Sequence, residues 1–149
     1  MSRWREARRF LCVRLDAMGD MLMTTPAIRA IRESVPSASI TLLTSPSGAA
    51  VASMVPEIDE FLIYEAPWMK ATGWRESSDL EFDLANRLRR LSFDAAVIFT
   101  VYSQSPLPAA LLCYMAGIPL RLAHCRENPY QLLTDWVPET EPQQVIRHE

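Results

Sequence analysis

The chain has 149 residues, 49% of them hydrophobic and 22% charged, with a net charge of −3. That length suits one domain with a real core, and the composition excludes a disordered or fibrous class. A net negative charge argues against a nucleic-acid partner, which would call for a basic face.

Basic charge nevertheless gathers at the start, where SRWREARR holds Arg3, Arg5, Arg8 and Arg9. This reads as a solvated leader, with a contact to anionic lipid head groups as the sharper alternative. Arg14, Asp16 and Asp20 interrupt the next apolar segment, so no secretory signal forms, and no apolar run is long enough to span a bilayer. Cys12, Cys113 and Cys125 are odd in number and lack metal-ligand spacing. Reduced thiols in a cytoplasmic protein are expected, and no metal site.

Strand-like and helix-like segments alternate along the chain. RFLCVRL (9–15) is a nearly continuous apolar run, as expected of a strand covered on both faces. The helix behind it ends near Val35-Pro36; either Thr25 caps it with Pro26 in the first helical position, or an earlier turn is kinked at Pro26. ASITLLTS (38–45) predicts a second strand, SGAAVASMV a short helix and EFLIYEA (60–66) a third strand. Next comes a loop with two tryptophans, APWMKATGWRESS. In the helix after it Ser78 and Glu81 predict a capping box, and Leu80, Leu84, Leu88 and Leu91 an apolar stripe. FDAAVIFTV (93–101) is a further buried strand, Ser105-Pro106 opens a helix that Gly117 closes, and PLRLAHC (119–125) is a fifth strand. From Arg126 on the chain reads as irregular, and QQVIRHE resembles the first turn of a helix.

Five strands alternating with helices predict a three-layer, doubly wound, Rossmann-like α/β fold around a parallel sheet. Ligands bind at the carboxyl ends of strands in such sheets. That places function in the loop after the first strand, in the Trp-rich loop and in His124-Cys125-Arg126-Glu127-Asn128.

Several chemistries fail on spacing. The first strand-to-helix turn holds one glycine, Gly19, so the three-glycine dinucleotide fingerprint is missing, as is a phosphate loop ending in Gly-Lys-Ser/Thr. His124 and His148 are isolated, and no serine sits in a Gly-x-Ser-x-Gly elbow. A phosphoacceptor receiver would need an aspartate ending the third strand and a lysine ending the fifth; the third ends in Tyr64-Glu65-Ala66 and the one lysine is Lys70.

What remains is RLDAMGDMLMTTPAIRAIR, with its apolar strand, Arg14, Gly19-Asp20 and Thr25-Pro26. This order resembles the amino-terminal end of glycosyltransferase family nine, the ADP-heptose:lipopolysaccharide heptosyltransferases and their relatives. SVPSASITLLTS matches the family's proline, small-residue turn and second strand, and GIPLRLAHCRENPYQLLTDWVPE resembles the region where members finish this domain.

The resemblance implies the amino-terminal half of a GT-B fold, in which two Rossmann-like domains face each other across a cleft. On that basis residues 1–137 would be the acceptor-binding domain, and 138–149 the start of a linker to a carboxy-terminal domain in cis. The nucleotide-sugar donor would bind that second domain, so no cofactor is expected on this one and the fragment alone should be inactive. The acceptor would be a saccharide, lipopolysaccharide-core or otherwise lipid-linked, met at the inner face of the membrane.

Asp20 would be the general base that takes the acceptor proton during an inverting transfer; its structural alternative is a helix N-cap. Gly19 would let the backbone approach the ligand, or form a plain turn. Arg14 and Asp16 either contact the acceptor or pair with each other at the end of a buried strand. Thr24 and Thr25 either offer hydroxyls or cap the helix. Lys70, Arg75, Trp68 and Trp74 lie in the loop that contacts the anionic acceptor in heptosyltransferases, or form a mobile loop with a partly buried tryptophan, and Arg126 would be a further acceptor contact. His124 reads as structural. Outside this family the chain reads as a non-catalytic Rossmann-like binding or regulatory module, such as a degenerate receiver.

Overall fold

In the computed structural model, residues 2–138 are described. The strands β1 (Arg9–Arg14), β2 (Ser39–Thr44), β3 (Glu60–Ile63), β4 (Ala95–Ile98), β5 (Leu120–Cys125) and β6 (Asp135–Pro138) form one sheet. Their order is β3-β2-β1-β4-β5-β6, and all neighbours run parallel. The helices are α1 (Ser2–Glu6), α2 (Met18–Ser34), α3 (Pro46–Ala52), α4 (Asp79–Leu91) and α5 (Leu107–Met115).

Successive side chains of a strand point to opposite faces, so β1 feeds two separate cores. Leu11 and Val13 join Ala85 and Leu88 of α4 and Ala109, Ala110 and Cys113 of α5 in one of them. Phe10 and Cys12 join Met21 and Ile28 of α2 and Val51 and Ala52 of α3 in the other. The sheet is therefore the middle of three layers, as the sequence predicts. Its central strands are continuous apolar runs because water reaches neither face. The edge strands β3 and β6 are largely exposed.

The strand order also decides between two doubly wound folds. A receiver has the order 2-1-3-4-5, whereas this sheet has the 3-2-1-4-5-6 order of the dinucleotide-binding type. The degenerate-receiver alternative fails on topology.

Three local expectations need correction, and one open choice is settled. The segment after Arg126 is not wholly irregular: a 3-10 turn (Tyr130–Leu132) leads into β6, making six strands rather than five. Its organiser is the buried Arg121 of β5, whose Nε donates to Leu132 O and whose Nη2 donates to Gln131 O, each at 2.8 Å. Arg121 N also donates to Thr134 Oγ1 at 2.8 Å. Pro138 is tolerated because β6 is an edge.

Of the two starts left open for helix α2, the earlier one holds: it begins at Met18 and runs through Pro26, so Thr25 is no cap. The Ser78–Glu81 capping box does not form. Asp79 N is taken by Ser77 Oγ at 3.1 Å, while the Glu81 carboxylate is drawn to tertiary partners. Leu80 is exposed, and the buried stripe of α4 is Ala85 and Leu88 flanked by Leu84 and Leu91. Finally, the leader is partly ordered: α1 carries Arg3 and Arg5 outward while Trp4 meets the Phe10 ring at 6.3 Å. Gly117 closes α5 as expected, with φ +72° in the left-handed region. The QQVIRHE segment lies outside the described residues.

Candidate active site at the carboxyl edge of the sheet

β1 ends in Arg14, and its position at the centre of the sheet buries the whole side chain. A buried guanidinium must be paired. Arg14 Nη2 lies 3.5 Å from Asp16 Oδ2 and 3.3 Å from Asp20 Oδ1. The ion pair expected between Arg14 and Asp16 forms, and Asp20 joins it. Arg14 is thus not itself presented to a ligand.

Asp20 is the third residue of α2, so its carboxylate turns back over the helix start and accepts the Ala17 N–H at 3.2 Å. It therefore does serve the helix terminus, though from inside the first turn and not as the N-cap. Its side chain stays 24% exposed, against 9% for Asp16. Gly19 lies within the same turn, exposed, and a Cβ there would meet nothing within 4 Å. It forms no loop turn, and the helix needs no glycine at this place.

Thr24 is fully buried and donates to Asp20 O at 2.9 Å; Thr25 donates to Leu22 O at 2.8 Å. Neither acts as a cap, and Thr24 is not brought to the opening.

Three loops at the carboxyl edge enclose a hollow of about 400 Å³, a size typical of small-molecule sites. Leu15, Asp16 and Ala17 line it from the β1 loop, Ser45 to Ser47 from the β2 loop, and Tyr64 to Ala66 and Met69 to Thr72 from the β3 loop. Asp20 is tied to this wall through Ala17. The β2 loop is an omission of the sequence reading. Ser45, Pro46 and Ser47 sit at a strand's carboxyl end, so the rule that found the other loops also covers them.

The Trp-rich loop divides its residues. Lys70 is exposed on the hollow's wall. Arg75 does not line it: Nη2 lies 2.6 Å from Glu81 Oε2, and Nη1 donates at 2.9 Å to the carbonyl of Glu65, a wall residue. Glu81 also accepts the Tyr64 hydroxyl at 2.8 Å; burial, then this bond, raise the phenol above its ordinary pKa. Trp68 stands edge-on to Tyr64 at 5.8 Å and packs on the core, whereas Trp74 is 91% exposed.

Arg126 stands elsewhere. Its guanidinium lies 4.7 Å from the centre of the Tyr102 ring, beside a recess of about 20 Å³ between the β4 and β5 loops. That recess also has Thr100, Gln104, Ser105, His124 and Glu127 on its wall. The residues of the β4 loop were not singled out in the sequence, since nothing but their place after a strand marks them. Among the described residues, no group of three or more His, Cys, Asp or Glu side chains is arranged to hold a metal, and no helix is long and apolar enough to cross a membrane.

No family profile and no curated protein matches the chain. Solved structures do. Escherichia coli ADP-heptose lps heptosyltransferase II is 25% identical, with a TM-score of 0.67 over 86% of this chain and 34% of that one. A glycosyl transferase family 9 protein of Veillonella parvula gives 18% identity and a TM-score of 0.68, over 87% of this chain and 36% of its own. E. coli heptosyltransferase WaaC with ADP-2-deoxy-2-fluoro heptose gives 16% and 0.67, over 91% and 44%. The chain spans 34–44% of the length of these structures. The fold is thus that of part of a glycosyltransferase, and the chain resembles the heptosyltransferases of glycosyltransferase family 9.

Proposed function

We propose that the chain is the amino-terminal, acceptor-binding half of an inverting glycosyltransferase of GT-B architecture. It moves a heptose-like sugar from a nucleotide-sugar donor to a lipopolysaccharide-core or other lipid-linked saccharide. In this reading residues 1–137 bind the acceptor, 138–149 begin the linker, and the donor sits on the second domain. The work is done in the cytoplasm at the membrane's inner face, where the arginines of α1 suit anionic head groups.

Asp20 acts as general base. An acceptor hydroxyl gives its proton to the carboxylate while its oxygen attacks the anomeric carbon of the donor. The bond from that carbon to the nucleotide's phosphate oxygen breaks on the opposite face, which inverts the centre. The observation that carries this is a partly exposed Asp20 carboxylate just after the central strand, bonded to Ala17 on the wall of a ligand-sized hollow. The Gly19 backbone, Thr25 and Lys70 are the nearest candidates to contact the acceptor, with Asp16 paired to Arg14 behind them. Arg126 would hold a remote part of it, while Arg14, Thr24 and Arg75 support the loops from behind.

The test is a donor and acceptor screen on the longer enzyme, followed by Asp20→Asn. Transfer to a saccharide that the variant no longer supports is the expected result. Near-normal turnover in the variant would return Asp20 to the helix terminus alone.

A further inference from the structure

We infer that Arg14 is a positioning residue for Asp20, with Asp16 as the counterweight that keeps its guanidinium in place. The inference rests on the reading of Asp20 as general base. A general base works only within hydrogen-bond reach of the proton it takes, and a small misplacement costs much of the rate. An aspartate in the first turn of a helix has two torsions that swing its carboxylate between solvent and the helix start. In this site both oxygens are accounted for: Oδ2 receives the Ala17 N–H at 3.2 Å, and Oδ1 lies 3.3 Å from Arg14 Nη2.

The guanidinium suits this task. Its side chain has no exposed surface, because it stands at the end of the central strand with a strand on either side. Both carboxylates meet the same terminal nitrogen, Nη2, which carries two N–H groups in the fixed plane of the guanidinium. Asp16 Oδ2, on the loop just beyond the strand, is 3.5 Å from the same Nη2. One cation thus sits between two anions with a sum of −1. The more buried carboxylate, Asp16, belongs to the scaffold, while the more exposed one, Asp20, keeps a face toward solvent. A lysine would carry the charge on a freely rotating ammonium, without N–H groups fixed in a plane, and a neutral residue would leave two carboxylates facing each other.

The test is a double-mutant cycle in the full-length enzyme, with single-turnover rate, kcat and KM for the acceptor measured for each variant. Folding is checked by circular dichroism and melting temperature. Arg14→Lys is expected to lower kcat at least tenfold with acceptor KM within about twofold, and Arg14→Gln to lower it further. In the Asp20→Asn background, Arg14→Lys should change the residual rate less than twofold, since the group it positions is gone. If Arg14→Lys lowers the rate equally in both backgrounds, or leaves kcat unchanged, Arg14 has only a structural role and the inference is overturned. Should Arg14→Gln fail to fold, Arg14→Lys and Asp16→Asn complete the cycle. An Asp20→Asn enzyme that keeps its activity would instead remove the general-base reading itself, a separable outcome.

Discussion

The Thr25 hydroxyl donates to the carbonyl of Leu22 at 2.8 Å, one residue before a proline that stands inside a 17-residue helix. Pro26 has no N–H, so the bond that position 26 would give to Leu22 O is lost. The neighbouring hydroxyl replaces it, and α2 continues where the residue pattern alone suggests a break. Thr25→Val should therefore destabilise the domain by about 0.5–1 kcal/mol, read from the urea midpoint. Pro26→Ala should shift the midpoint the other way and make the Thr25 substitution nearly neutral.

Asp20→Asn in the longer enzyme should lower turnover by about 10²–10⁴-fold, the range of general acid–base catalysis. Its amide oxygen can still accept the Ala17 N–H, so the loss of stability should stay at about 1 kcal/mol. Turnover and melting temperature on the same samples separate the two effects.

The 149-residue chain by itself should show no heat with an ADP-sugar in calorimetry, and should transfer no sugar. Micromolar binding would overturn the proposed division of labour between domains.

Burial pushes the thiols of Cys12 and Cys113 up to about 12, and raises Cys125 as well. At pH 8 the native protein should leave Cys12 and Cys113 unreactive toward a disulfide reagent, while the protein in denaturant should titrate fully. These groups hold their protons in the native state but lose them near pH 9 when unfolded. Their contribution to stability is therefore complete below about pH 9 and falls as the pH rises from there toward 12. Denaturant midpoints between pH 8 and 11 give the check.

Arg121 ties β5 to the segment that becomes β6. Arg121→Met keeps most of the stem but leaves the carbonyls of Gln131 and Leu132 without their donor. We expect a loss of about 2–3 kcal/mol, as for hydrogen bonds to a buried charge. Amide exchange over 130–138 should rise more than exchange in β1 or β4.

Continuous apolar runs announced β1 and β4, because a strand covered on both faces has no polar alternation to blur it, and β2 and β5 were legible as shorter strand-like segments between helices. The alternation with helices then placed the loops at the carboxyl edge, although Gly19 and Asp20 belong to the first turn of α2 that follows one of them. β6 was missed since half of its residues face solvent and its organiser, Arg121, stands 10 or 11 positions upstream of the carbonyls it holds. The capping box at Ser78 misled for a related reason. Glu81 had better partners in Tyr64 and Arg75, neither of which lies within its own helix.

By itself the sequence determined the layers, the parallel sheet and the loops in which polar chemistry had to stand, since hydrophobic period is a local property of the chain. Only the tertiary structure decided the strand order, the sharing of Arg14 between Asp16 and Asp20, and the pairing of Arg75 with Glu81. A buried or half-buried charge takes whichever opposite group the packed fold brings within about 4 Å, and no residue pattern along the chain states that distance.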